Sequence, residues 1–379
     1  MVLFDFLKYS QFALETTAVW PQNKSSWMFL FRTILTLGVI GIFAGCQVYN
    51  SALLISSFVK FSQSLYLLNS YLNVCIKIII LQLKRKAFLK LIHRIENQYF
   101  IKYEQVYEHL IANVDKTINT IQWIYWSSAI FCCIFTSIFP VVDPSKSLPM
   151  EYPHFNNGPF HIPFYICEMI SLFMCAICNT AMDMLFVGLS TVALVQLIIL
   201  NNKLKDTSKI VKCSKFYSDE NRHKLTVEYI KECCEHYIEI EGFLENIENI
   251  FSVILFIQLG ISVFAICNGG LMLINVEILS LQGLSVIFYI MAMVMELGVY
   301  CWFGNNVYFE SLEIIHSCSL SNWYEESHDV KKMLLILMER TKRPLEIKAL
   351  NFTTINANTF VAILKWSYSY FALLNNFTN

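Results

Sequence analysis

Two groups of residues in this 379-residue chain have the types and spacing that do chemistry. The first is sulfur. Of 13 cysteines, Cys175-x-x-Cys178 and Cys233-Cys234-x-His236 are spaced as metal or redox ligands can be. Cys175 and Cys178 lie in an unbroken apolar run with no second pair, so packing is the expected role for them and for Cys233, Cys234 and His236. The second group is ionisable: Lys77, Glu168, Asp183, Glu296 and Lys365 stand within apolar sequence. Charge there is costly and must face a cavity, a partner helix or an interface. Lys77 is expected to snorkel to an inner boundary. Glu168 is the candidate for a ligand or ion, Asp183 is expected near the inner end of its helix, and Lys365 must face protein or a wet vestibule. Gly-x-Ser-x-Gly, His-Glu-x-x-His and Gly-rich phosphate loops are all absent, which gives no enzyme constellation, no metal site and no cofactor.

The elements that hold these residues are membrane spans. Hydrophobic residues make up 56% of the chain and charged residues 15%, with a mean hydropathy of +0.49. Seven stretches are long and apolar enough to cross a bilayer: 33–54, 61–83, 118–142, 162–200, 249–274, 279–303 and 352–374. Continuous apolar runs, without period-two alternation, exclude a β-barrel. The expected fold class is an all-α membrane protein with seven transmembrane helices. Lys and Arg set its orientation. Of 28, three precede residue 33, seven lie in 84–116, eight in 203–231 and six in 331–348, while the alternate segments hold only Lys60 and Lys146. Basic loops stay cytoplasmic, so the N-terminus is expected inside and the C-terminus outside, the reverse of a G-protein-coupled receptor. The net charge of −1 calls for no nucleic acid. No cleavable signal peptide is expected, since Asp5, Lys8, Glu15 and Lys24 interrupt the first residues.

Between spans, the 84–116 segment reads as cytoplasmic helix. In 217–250, Ile230, Cys233, Tyr237, Ile240, Leu244, Ile247 and Phe251 recur at three- and four-residue steps, an apolar stripe that must bury against another helix or subunit. A shorter stripe, Met333, Leu334, Leu337 and Met338, precedes the helix stop at Pro344. Together they predict a cytoplasmic helical anchor bundle. Six of eight prolines fall between Pro140 and Pro163, making a stiffened outer loop, either a lid or a connector, and the loop 143–161 holds no cysteine to staple it. Of three glycosylation sequons, only Asn376 falls outside by this topology. The outer halves of the spans supply aromatic and Met side chains suited to an apolar ligand pocket: Phe61, Tyr66, Phe131, Phe135, Met169, Phe173, Phe288 and Tyr289.

The last 60 residues carry a more specific pattern. Asn322-Trp323-Tyr324-Glu325, the Met333–Met338 stripe, Arg343-Pro344-Leu345, Ala349, Phe352, Phe360 and the ending Leu364-Lys365-Trp366-Ser367-Tyr368-Ser369-Tyr370 resemble the C-terminal signature of insect odorant receptors. The resemblance implies an odorant-tuning subunit of a ligand-gated, non-selective cation channel, opened by a small volatile odorant. It would assemble with insect odorant co-receptor subunits as a heterotetramer in the plasma membrane of sensory neurons. It also implies one seven-helix unit over 1–379: a cytoplasmic N-terminus (1–32), spans one to six (33–303), an anchor region (304–348) and a pore-lining last helix (349–379). Matched from Phe360 onward, the family's hydrophobic constriction falls on Leu373, with Tyr370 and Asn376 beside it. A gustatory-type receptor of the same superfamily shares fold and topology, and the Lys-x-Ser-Tyr-Ser ending favours the odorant branch over it. A transporter would carry internal repeats, and none is evident.

Overall fold

In hydrocarbon an apolar segment without alternation must satisfy its backbone internally, and the helix does so within one segment. The computed structural model describes residues 5–22, 27–54, 58–95, 100, 106–142, 161–213, 219–274 and 276–378. The proline-rich segment 143–160 and the side chain of Tyr66 lie outside that description. Among the described residues ten α-helices follow in order: α1 (Asp5–Thr16), α2 (Trp27–Leu53), α3 (Phe58–Leu83), α4 (Arg85–Ile95), α5 (Glu108–Val142), α6 (His161–Cys213), α7 (Asp219–Ile274), α8 (Leu281–Leu320), α9 (His328–Thr341) and α10 (Ala357–Thr378). Each of the seven apolar runs corresponds to one of α2, α3, α5, α6, α7, α8 and α10. Among the described residues, α2, α5, α6, α7 and α8 are long and apolar enough to cross a bilayer, and α3 with α4 makes a sixth across a 75° bend. At 22 residues α10 is long enough, about 33 Å, and more polar, carrying Lys365, Ser367, Ser369, Asn375 and Asn376.

Three helices exceed any bilayer. α6, α7 and α8 run 53, 56 and 40 residues, whereas about 20 residues cross the hydrocarbon. Between Cys178 and Thr207, α6 is buried on nearly every side, which is why its sequence is apolar without a polar face. α7 and α8 pack along it. The α7 stripe is a core seam, with Ile230, Cys233, Tyr237, Ile240, Leu244, Ile247 and Phe251 all buried. His236 completes it by bonding Gln196 Oε1 on α6 at 2.9 Å. Burial holds the imidazole well below its usual range, at about 3, so it is neutral, and the same cause pushes the Cys233 thiol up to about 12. On α9, Leu334 and Leu337 are buried, Val330 joins them, and Met333 and Met338 pack at the edge. Arg340 and Glu241 pair α9 with α7, and Arg94 pairs α4 with Glu239 of α7 at 2.8 Å.

Two differences from the sequence reading have local causes. The 84–116 segment, expected as helix continuing the second and third spans, does continue the third from Glu108 in α5, but it breaks from the second. α4 turns by 75° to lay Phe88, Leu91 and Ile95 into the core. The last helix starts at Ala357 rather than near residue 352, because the chain first makes a hairpin. β1 (Lys348–Ala349) pairs antiparallel with β2 (Thr353–Thr354). Leu350 and Asn351 between them have φ of 51° and 56°, the left-handed pair of a type I′ turn. The Asn351 sequon therefore sits in that turn. Asn356 then caps α10 by accepting from Thr359 N at 3.0 Å.

The segment entering α10 lies directly on α8. A Cβ on Gly304 would fall inside the contact distance of the Ile355 carbonyl oxygen, a backbone atom that cannot rotate aside. Gly304→Ala is therefore expected to cost about 1–3 kcal/mol and to lower the melting temperature of detergent-solubilised protein by a few degrees. Melting unchanged from wild type would mean that the α8–α10 approach is not tight.

Candidate functional site

Three of the five ionisable residues of the spans meet at one point. Lys77 of α3 donates to Asp183 Oδ1 of α6 at 2.5 Å, to Glu296 Oε1 of α8 at 2.9 Å and to Asn179 Oδ1 at 2.8 Å. All three ammonium protons thus have acceptors. Tyr300 OH donates to Asp183 Oδ1 at 2.5 Å and Tyr125 OH of α5 to Asp183 Oδ2 at 2.8 Å. Asn179 Nδ2 donates to Asp183 Oδ2 at 3.0 Å and to Glu296 Oε1 at 3.2 Å. Asn73 Nδ2 extends the network to Gln258 Oε1 of α7 at 2.6 Å. Lys77 is 1% exposed. It does not snorkel: the two carboxylates are close enough to hold it inside, and the shared pairing answers where Asp183 and Glu296 turn.

Beside this network, toward the N-terminal ends of α6 and α8, lies a cavity of about 70 Å³ between α3, α5, α6 and α8. That volume holds several waters or one small organic molecule. Helical spacing explains its walls. On α6, Leu172, Cys175, Ala176 and Asn179 recur at three and four residues, and on α8 Tyr289, Ala292 and Met293 do the same. Ser70 and Tyr71 come from α3, and Tyr125, Ala129, Cys132 and Cys133 from α5. Tyr125 and Asn179 both line the cavity and bond to Asp183, so the floor of the cavity is the top of the ionic network. One wall carries a hydroxyl pair, Ser70 Oγ and Tyr289 OH, at 3.3 Å.

Of the eight residues expected to line a ligand pocket, Tyr289 borders this cavity. Phe131, Phe135 and Phe288 form a stack between α5 and α8 with centroids 5.5–6.4 Å apart. Met169 and Phe173 pack at the edge of the core, and Phe61 is half-buried. Ser70, Tyr125, Cys132, Cys175 and Asn179 escaped the sequence reading, which favoured aromatic and Met side chains. The readable signal was position: Glu168, Leu172, Cys175, Asn179 and Asp183 follow one face of α6. The pore candidates lie apart from the cavity on α10, where Leu373, Tyr370 and Asn376 are exposed and Tyr370 meets Phe264 of α7 edge-on at 5.9 Å.

Removing one partner from a buried charge network leaves the others uncompensated. Lys77→Met is expected to cost about 3–5 kcal/mol, seen as lower thermal stability and less surface protein. Adding Asp183→Asn and Glu296→Gln should restore part of that loss. Failure of the triple variant to improve on Lys77→Met would deny that charge is the cause.

Comparison with known proteins agrees with this architecture. The family model described as 7tm odorant receptor matches residues 57–368. Odorant receptor 63a of Drosophila melanogaster is 26% identical over 62% of this chain, a match spanning just over half of that receptor, 55%. Odorant receptor 10 of Aedes albopictus is 25% identical over 82% of each chain. The insect olfactory receptor OR5 from Machilis hrabei, solved in complex with eugenol, superposes with a TM-score of 0.83 at 15% identity, covering 99% of this chain and 98% of that one. With a family match across most of its length and the same all-helical membrane fold, the chain belongs to the 7tm odorant receptor family.

Proposed function

We propose that this chain is the odorant-tuning subunit of a ligand-gated, non-selective cation channel, working with co-receptor subunits in a heterotetramer. The observation that carries the reading is the small, mostly apolar cavity closed by four spans and floored by a hydrogen-bonded network. An odorant would occupy it; the olfactory receptor OR5, of the same fold, was solved in complex with eugenol. The eight aromatic and Met positions Phe61, Tyr66, Phe131, Phe135, Met169, Phe173, Phe288 and Tyr289 would form the pocket and its approaches. A ligand reaching from the cavity into those approaches would bury roughly 250–300 Å² of apolar surface, which supplies about 6–8 kcal/mol. Association costs reduce this to micromolar or weaker affinity. The distribution of Lys and Arg supports an N-terminus inside the cell and a plasma-membrane protein crossing seven times.

Gating requires that the ligand prefer the open state, and a tenfold preference supplies about 1.4 kcal/mol. In this reading α10 lines the pore and Leu373 forms an apolar ring that closes by dewetting, with Tyr370 and the amide of Asn376 beside it. Support comes from the packing of α10, which rests on α7 and α8 alone among the membrane helices it touches extensively and leaves Leu373 52% exposed.

The test is whole-cell current in cells expressing this chain with an insect co-receptor, challenged with volatiles under G-protein blockade. A fast, reversible cation current that needs both chains is expected. Ala292→Leu, which fills the cavity, should abolish the evoked current at unchanged surface expression, and Leu373→Ser should raise the basal current. A response abolished by G-protein blockade would overturn the channel reading.

A further inference from the structure

The cavity is flanked by more carboxyl groups than ammonium groups. Within 67–83, 118–142, 162–200 and 281–305, the membrane portions of its four helices, the Lys, Arg, His, Asp and Glu residues are Lys77, Glu168, Asp183 and Glu296 alone. That is three carboxyl groups and one ammonium. At the inner end the single Lys77 is shared by Asp183 and Glu296, and Glu296 Oε2 has no hydrogen-bond partner among the described residues. Beyond Leu172, at the outer end, stands Glu168. Its side chain is 0% exposed, and neither carboxyl oxygen has a hydrogen-bond partner among the described residues.

The register of α6 points Glu168 along the cavity. At 3.6 residues per turn, Glu168, Leu172, Cys175 and Asn179 fall within about 60° of one another. Leu172, Cys175 and Asn179 line the cavity, and Glu168 is one turn, about 6 Å, outward from Leu172. A buried carboxyl group without a donor is costly and unusual. A bound molecule with N–H groups would satisfy it, while the apolar middle of the cavity would take a short hydrocarbon chain or ring. An anionic molecule would meet repulsion at both ends.

We propose that the ligand of this cavity is a small amine, bound with its ammonium N–H groups on the Glu168 carboxylate and its hydrocarbon part between Leu172 and Met293. The inference rests on the reading of the cavity as the ligand site and names the ligand class for it. It makes Glu168 a specificity-determining residue, in contact with the ligand's nitrogen, while the Ser70–Tyr289 hydroxyl pair lies along the side wall.

The experiment compares three molecules of matched chain length, hexylamine, hexanol and hexanoic acid, on cells expressing this chain with an insect co-receptor. In the wild type the half-maximal concentration for hexylamine is expected to be lower than for hexanol by about tenfold, the worth of one charge-assisted hydrogen bond, with hexanoic acid weakest. Glu168→Gln keeps the shape and removes the charge. It should erase the amine preference and leave the response to hexanol within about twofold, a change that lost packing alone would not produce. Glu296→Gln should weaken the preference less, since that carboxylate already shares Lys77. Hexanol or hexanoic acid acting more strongly than hexylamine in the wild type, or an amine-to-alcohol ratio unchanged in Glu168→Gln, would overturn the proposal and leave the ligand site standing. The wild-type comparison decides the matter even where Glu168→Gln does not reach the surface. Silence toward all three and toward a broad volatile panel, with both chains on the surface, would overturn this proposal together with the ligand-gated reading.

Discussion

A lysine ammonium within a membrane bundle is tolerated only when every proton has an acceptor and a counter-charge lies at contact distance. Lys77 meets both conditions through Asp183, Glu296 and Asn179, which come from two other helices. The demand fixes geometry. The acceptors must converge within hydrogen-bond reach of one nitrogen, so α3, α6 and α8 can meet at this level in one register. Tyr125 and Tyr300 add donors to Asp183 from α5 and α8, and Asn73 reaches Gln258 on α7. Five helices are thereby pinned at one depth. Apolar contacts alone would not do this, because lipid tails compete with them and side chains of similar shape can slide past one another.

The same network gives the cavity a floor and a route outward. A molecule in the cavity touches Tyr125 and Asn179, whose polar atoms are engaged with Asp183 and Glu296. Shifting either residue by a fraction of an ångström loosens bonds held by α8 and, through Asn73 and Gln258, by α7. Those are the helices on which α10 packs. Buried polar networks are high-stakes elements, stable when fully satisfied and sharply weakened when one bond lengthens. Such an element suits the proposed coupling between a ligand and a pore on α10, in which only differential affinity between two arrangements does work.

The legible part of the fold was the part governed by single-helix periodicity. Apolar length located the spans, and three- and four-residue spacing located the α7 seam from Ile230 to Phe251, every residue of which is buried. Helix ends were less legible. The α3–α4 bend depends on Phe88, Leu91 and Ile95 finding a core that belongs to other helices, and the late start of α10 depends on Leu350 and Asn351 in left-handed conformations without a glycine to announce them. The site was half legible. Glu168, Asp183 and Glu296 stood out as charges in apolar sequence, but Lys77 looked able to reach an interface because its partners lie over 100 residues away in the chain. The cavity walls of Ser, Cys, Ala and Asn were missed for a related reason. Space appears where small residues from four helices face each other, and no one helix encodes that coincidence.

Lys365 presents the opposite case to Lys77. It lies midway along α10, exposed on the outer surface of the protomer, with Asn358 and Asn376 about 20° away and Ser369 about 40° away around the helix. An ammonium at the centre of a lipid-facing helix costs about 2.5–3.5 kcal/mol or more, and on this face it would be joined by hydroxyl and amide groups. The opposite side of α10 buries Ile363 and Ser367 against the bundle, so the helix cannot rotate to hide the polar arc without exposing its own seam. Water or neighbouring subunits covering that arc remove the cost. A polar face on a membrane helix that has already used its other face for packing therefore supports the proposed assembly around an aqueous path. It explains why the last span is the least apolar of the seven.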